Sequence, residues 1–261
     1  MAKSAGTNAG LVFLSTLIPG FIAIFIYMYI LKNSRRPFPL MLEDHFGFLL
    51  GKILGFIYIF IFIIGSALDL RTFTGFSESI FMYDFPISVL IIVALIPAFY
   101  MLRLDLQVFG RVSEVVLLIY LPLALLIVFL GLRGADWANL LPLGNTSLLS
   151  YATAASKPLA HLGALMVILS LAYFSSDRKG VPVTLYKLLL SLVLLSSAVV
   201  FVSIMNLGVD LTTSLTFPIF SITRATSIGF IRNIEIVFVS FFLAGISISI
   251  SLFWFMACYA T

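Results

Sequence analysis

Residues 217–232 read FPIFSITRATSIGFIR, and an apolar run from Ile236 to Thr261 that holds no charged residue follows them. Pro218 suits the first turn of a helix because an N–H at that position would lack a partner anyway, and Gly229 can end the helix in a left-handed conformation. A membrane-spanning helix needs about 20 mainly apolar residues, which the run supplies. The stretch therefore predicts a short helix at a membrane face that leads into a spanning helix.

Small residues repeat along the spanning part at intervals of four, three and four, which places them on one face of a helix. Gly245 and Ser249 flank this face, which is formed by Ser240, Ala244, Ser247 and Ser251. Small faces let helix backbones approach each other closely in lipid. Helix packing is one interpretation; the other is that the hydroxyls line a polar cavity and bind a substrate.

The composition is that of a polytopic membrane protein. Of the 261 residues, 62% are hydrophobic and 10% are charged, whereas soluble domains carry about 25% charged residues. Basic residues occur singly or in short groups and form no stripe along a phosphate backbone, so we expect a lipid bilayer and no nucleic acid as a partner. The single cysteine, Cys258, excludes an intrachain disulfide.

Long apolar stretches predict an all-α, polytopic transmembrane helical bundle with a single transmembrane domain over residues 1–261. We expect about seven spans, at residues 9–31, 52–70, 85–102, 114–132, 158–176, 187–209 and 234–259. Nine of the 15 basic residues fall in the connections 32–52, 103–111 and 177–187. The positive-inside rule therefore places these connections in the cytoplasm and the amino terminus outside.

Several motifs occur in an order that resembles one known family. They are Gly51 to Gly55, Leu70-Arg71-Thr72-Phe73 leading to Asp84-Phe85-Pro86, Gly110-Arg111-Val112-Ser113-Glu114, Leu140-Leu141-Pro142-Leu143-Gly144, and the stretch from Phe217 to Glu235 with its Ile228-Gly229 and Arg232. Together they resemble the spore germination receptor B-subunits, or spore permeases, within the amino acid–polyamine–organocation transporter superfamily.

This resemblance implies a partial leucine-transporter-like fold in which the seven spans correspond to spans 2–8 of about ten. It implies a germination receptor subunit in the spore inner membrane that binds a small nutrient such as an amino acid and acts with other receptor subunits. An amino acid transporter is the first alternative. A truncated, non-functional or structural subunit is the second, because the family's first span and last two spans would be missing.

The fifth predicted span would be the family's discontinuous sixth span, whose unwound middle binds substrate. His161 and Gly163 lie near its outer end and Ser170 lies near its middle, so the resemblance makes them candidate substrate contacts. The alternative is a continuous helix that the chain enters through Pro158.

Asp69 ends the clean apolar run of the second span, and Gly65 lies one turn before it. An ionisable residue at membrane depth is a candidate for function. We therefore predict that both residues contribute to a substrate site. Asp69 could instead pair with a basic residue at the outer mouth or mark the membrane interface. Gly65 and the adjacent Ser66 would open space for a ligand or for a neighbouring helix.

The stretch before the last span supplies candidate gating or structural residues, namely Pro218, Arg224, Gly229, Arg232 and Glu235. Arg232 and Glu235 are three residues apart and could pair on one helix face. That pair would clamp the short helix to the span, or would act as a gate that moves when a ligand binds.

Enzyme signatures are missing from the sequence. It has no paired histidines at metal-binding spacing and no Gly-rich phosphate loop. The two histidines form no convincing Ser-His-Asp set. We therefore expect no enzymatic activity, no catalytic residue, no metal and no cofactor.

Overall fold

A computed structural model describes residues 5–33, 38–80, 86–142, 144, 146–161, 167, 171–175, 180–225 and 234–259. This part of the chain is 91% helical and includes no strand. Its α-helices are α1 (Ala9–Ser15), α2 (Leu17–Asn33), α3 (Phe38–Ile80), α4 (Ile87–Leu102), α5 (Leu106–Arg133), α6 (Leu148–His161), α7 (Val181–Ser214), α8 (Pro218–Ala225) and α9 (Ile234–Tyr259). The prediction of an all-α bundle is confirmed.

Five helical stretches in the described ranges are long and apolar enough to cross a membrane. They are Gly6–Lys32, Leu40–Ser79, Leu106–Arg133, Val181–Ser214 and Ser240–Tyr259, and Ile87–Leu102 is a shorter apolar helix. The protein is therefore a multi-pass membrane protein. These six stretches overlap six of the seven predicted spans.

The fifth predicted span, 158–176, differs most from the structure. Helix α6 begins at Leu148, so Pro158 lies inside a helix and does not open one. Ser147 caps this earlier start, because its hydroxyl accepts a hydrogen bond from the Ser150 N–H at 3.3 Å. A serine at this position offers a partner to an N–H that the helix leaves unpaired. Most of the chain between His161 and Leu171 lies outside the described residues.

Helix α3 extends beyond the predicted span 52–70 at both ends and reverses direction near its start. Gly47 has φ 77° and ψ 171°, a conformation that residues with a Cβ rarely adopt. A Cβ added at Gly51 would lie 2.5 Å from the Cα of Glu43, although eight residues of straight helix would separate the two by about 12 Å. Residues 38–46 therefore fold back along the start of the long helix. Gly55, in contrast, has open space around it.

The chain divides into two compact units, each with its own core. The first unit comprises Met1–Arg35 and Leu123–Glu235, and the second comprises Arg36–Pro122 and Ile236–Thr261. In the first unit α1 packs on α7, and their buried residues include Ala9, Val12 and Ile204. In the second unit α3, α4 and α9 share a core formed by Phe73, Leu90, Ala94, Ala98, Ile246 and Ile250.

A break in α7 is the main irregularity of the first unit. Gly208 has φ 71° and ψ 172° inside the helix, so backbone carbonyls one turn earlier lose their usual partners. The Met205 carbonyl instead accepts hydrogen bonds from the Asp136 N–H at 3.1 Å and from the Asn139 side-chain amide at 2.9 Å. The connection that follows α5 therefore caps the break.

Helices α5 and α7 approach each other closely at Gly131. The Asn206 side-chain amide donates to the Gly131 carbonyl at 2.9 Å. A Cβ added at Gly131 would lie 2.4 Å from Cγ1 of Val202, whose β-branched side chain has little rotamer freedom in a helix. This crossing requires a residue without a side chain.

Replacing Gly131 with alanine should therefore destabilise the protein by about 1–3 kcal/mol, the usual cost of overpacking. We expect the midpoint of thermal unfolding in detergent to fall by several degrees. Gly110→Ala is the matched control, because Gly110 lies on the same helix and an added Cβ there meets nothing within 4 Å. Equal midpoints for the two variants would contradict the close crossing.

Candidate functional site

Asp69 on α3 contacts Ser249 on α9, with the Ser249 hydroxyl donating to Oδ2 of Asp69 at 2.5 Å. Both residues lie in apolar helical stretches that are long enough to cross a membrane, Leu40–Ser79 for Asp69 and Ser240–Tyr259 for Ser249. The carboxylate therefore belongs to a membrane-spanning segment. Helix α3 continues past Asp69 to Ile80, and the interface position considered for Asp69 stays a prediction.

A second polar contact lies one turn away between the same two helices. The Trp254 indole N–H donates to the Ser66 hydroxyl at 3.2 Å, and this hydroxyl donates to the Ile63 carbonyl at 2.8 Å. We call Ser66, Asp69, Ser249 and Trp254 the polar seam. Its two contacts fix the register of α3 against α9, which run antiparallel here.

Gly65 allows this close approach. A Cβ added at Gly65 would lie 3.1 Å from the Phe253 ring, so the space beside this glycine holds an aromatic side chain of α9. The same ring stacks on Phe62, with the ring centroids 5.7 Å apart. The contact between α3 and α9 therefore combines the hydrogen bonds of the polar seam with the stacked pair Phe62 and Phe253.

The opposite side of α9 packs against α4. Ser247 and Ser251 are buried, and their hydroxyls donate to the carbonyls of Ala94 at 3.4 Å and Ala98 at 2.7 Å. Ala94 and Ala98 are one turn apart on α4, so the two contacts lie on the same side of this helix. Ser247 and Ser251 therefore support helix packing.

The seam combines a carboxylate with a hydroxyl donor in apolar surroundings. An ionised carboxylate is costly there unless hydrogen-bond donors or a positive charge accompany it. The Ser249 hydroxyl is one such donor to the Asp69 carboxylate. Within the described ranges, no three His, Cys, Asp or Glu residues lie close enough together to hold a metal ion.

A family model described as "Spore germination protein" (Spore_permease) matches residues 1–261. The chain belongs to this family. A search of curated proteins and a search of solved structures each return no match. Members of the family are membrane proteins of transporter or receptor type rather than enzymes.

The other predicted site residues of this spore permease differ in burial, and several of them lie outside the described residues. On α9, Ser240 is exposed, Ala244 is half-buried and Ser247 is buried, so the three do not share one environment. Pro218 is the first residue of α8, as predicted. Gly163, Ser170, Gly229 and Arg232 lie outside the described residues, as do the side chains of His161, Arg224 and Glu235. The discontinuous fifth span and the Arg232–Glu235 pair stay predictions.

Sequence reasoning considered Ser66 only as opening space beside Gly65, and it did not single out Trp254. Its placement of Ser249 at the flank of the small face was wrong, because Ser249 lies on the opposite side of α9 from Ser247 and Ser251. Successive residues are turned by about 100° around a helix, so Ser247 and Ser251 share one face while Ser249 points about 160° away from Ser247. The alternation Ser247-Ile248-Ser249-Ile250-Ser251 therefore predicts polar contacts with two different neighbours. That signal was present, but it does not identify Asp69 as one of the partners.

Replacing Ser249 with alanine should destabilise the protein by about 1–2 kcal/mol, because a hydrogen bond to a charged group is lost within the membrane. The measurement is thermal unfolding in detergent, repeated in an Asp69→Leu background, where we expect the Ser249→Ala effect to vanish. Ser79→Ala is the control, since this exposed hydroxyl donates to the Phe76 carbonyl of its own helix. Additive effects of Asp69→Leu and Ser249→Ala would contradict a direct contact.

Proposed function

We propose that this spore permease is a membrane subunit of a nutrient germinant receptor in the inner membrane of the spore. The observation that carries the proposal is the match of the spore germination family over the whole chain. The proposed role is to bind a small nutrient, such as an amino acid, and to pass that event to partner receptor subunits.

The polar seam supplies a physical route for this role. A nutrient ammonium that reaches Asp69 would compete with, or add to, the hydrogen bond from Ser249. Because that bond joins α3 to α9, the ligand would favour one arrangement of the two helices over another. A ligand shifts such an equilibrium only by the difference between its affinities for the two arrangements. No covalent step is required.

An amino acid transporter is the second candidate, and Asp69 favours it as well. Carboxylates at membrane depth often relay protons or bind coupling ions in transporters. Transport and sensing share the binding step and differ in whether the ligand crosses the membrane. Uptake and signalling must therefore be measured separately.

The first test is nutrient-triggered germination of spores that lack this chain, scored by release of core solutes for single amino acids and sugars. Loss of the response to one nutrient, with the other responses intact, is the result that a receptor subunit predicts. Unchanged germination responses to every nutrient, in spores that also lack paralogues, would contradict the receptor proposal. Uptake of the labelled nutrient into vesicles containing the purified chain would support the transporter.

Asp69→Asn should raise the nutrient concentration needed for half-maximal germination by about tenfold or more, the change expected when a charge-assisted contact worth about 1.5–3 kcal/mol is lost. Asparagine preserves the size of the side chain and can still accept the Ser249 hydrogen bond. Asp105→Asn is the control, because Asp105 is exposed at the start of α5, where asparagine caps a helix equally well.

Immunoblots of spore membranes should show equal amounts of both variants. A normal nutrient response in Asp69→Asn spores with normal abundance would remove Asp69 from the binding site. The chain would still belong to the germination family, but nutrient binding at Asp69 would be excluded.

A further inference from the structure

A groove in the second unit runs along one side of α4. Residues from Ile92 to Tyr100 form one wall, Trp254 of α9 forms part of the other, and Arg103 lies at one end. Its volume is about 510 Å³, which is within the range of small-molecule sites. Except at Arg103, the lining is almost wholly apolar. The groove shares Trp254 with the polar seam, but Ser66, Asp69 and Ser249 do not line it.

Arg103 follows the last residue of α4 and is exposed. Its guanidinium lies over the Phe99 ring, 4.7 Å from the ring centroid, so the side chain is turned back along the groove. Within the part of the chain that the structure describes, the Phe99 ring is its one specific side-chain contact. An arginine carries five N–H donors in a planar fork that fits a phosphate. The end of the groove therefore offers a positive charge with open hydrogen-bonding capacity.

The dimensions of the groove fit a lipid chain. Arg103 is eleven positions after Ile92, which corresponds to about 17 Å along the helix axis. One leaflet contributes about half of the 30 Å hydrocarbon core. An acyl chain lying in the groove would therefore reach from the level of the headgroups to near the bilayer midplane.

We propose that this groove binds an anionic phospholipid, with one acyl chain along α4 and the headgroup phosphate on Arg103. The charge pattern assigns the connection 103–111 to the cytoplasmic side, and anionic lipids are enriched in the leaflet on that side. A neighbouring apolar helix could fill the same groove, but it would gain nothing from a cation at the groove's end. Charge complementarity therefore favours the lipid.

Trp254 provides a direct readout because the chain has only two tryptophans. Trp137→Phe leaves Trp254 as the sole indole. This full-length variant is reconstituted in phosphatidylcholine bilayers, and its fluorescence is measured as brominated phosphatidylglycerol or brominated phosphatidylcholine replaces part of the lipid. Bromine on the acyl chain quenches an indole only at close range, so the two titrations give relative affinities for the groove.

We expect phosphatidylglycerol to bind in the groove about fivefold more tightly than phosphatidylcholine, because one basic side chain near an anionic surface contributes about 1 kcal/mol. The ratio of the two affinities is then about five. Arg103→Gln should lower the ratio to about one, and Arg103→Lys should keep most of it. Ile96→Phe retains the charge but narrows the groove at a residue that is 64% exposed, so it should weaken quenching by both lipids.

Arg133→Gln is the matched control. Arg133 ends α5 and lies over Phe129 at 5.8 Å, the same arrangement four residues apart, but it does not line this groove. It should keep the fivefold preference. Equal quenching by the two lipids, or an equal loss of preference in both glutamine variants, would overturn the proposal. Protection of Trp254 from both lipids would overturn it too and would assign the groove to another helix.

Discussion

A polar group inside a bilayer must find its partner within the protein, and α9 meets this constraint with three serines. Two of them donate to carbonyls in α4, and the third donates to Asp69 in α3. Among the described residues, no buried side-chain nitrogen or oxygen lacks a hydrogen-bond partner. The hydroxyls thus fix how α9 lies against both neighbours, which apolar contacts alone would specify poorly because lipid tails offer similar contacts.

Backbone breaks obey the same constraint in the first unit. The Gly208 break would leave carbonyls unsatisfied in lipid, and the connection after α5 supplies donors to the Met205 carbonyl. Thr212 adds a further donor across the break, to the Ser203 carbonyl at 3.2 Å. The broken helix and the connection that caps it are therefore one structural device.

The length of an apolar run could be read from the sequence, and it predicted α4 and α9 to within a few residues. Pro158 misled the same reasoning, because a proline that can open a helix can also lie inside one when Ser147 provides an earlier cap. The pairing of Asp69 with Ser249 could not be predicted at all. It depends on which helices are neighbours, which the periodicity of a single sequence does not reveal.

The position of Asp69 bears on why sensing and transport are difficult to separate in such a protein. In the proposed mechanism, the Asp69 carboxylate would bind a cationic group at the point where the Ser249 hydroxyl joins α3 to α9. Any ligand that changes this contact also changes the free energy of one helix arrangement relative to another. If the new arrangement opens toward the opposite side, the result is transport. If it is read by a partner subunit, the result is a signal. The chemistry of the seam is common to both, so the distinction depends on what the rearranged helices contact next.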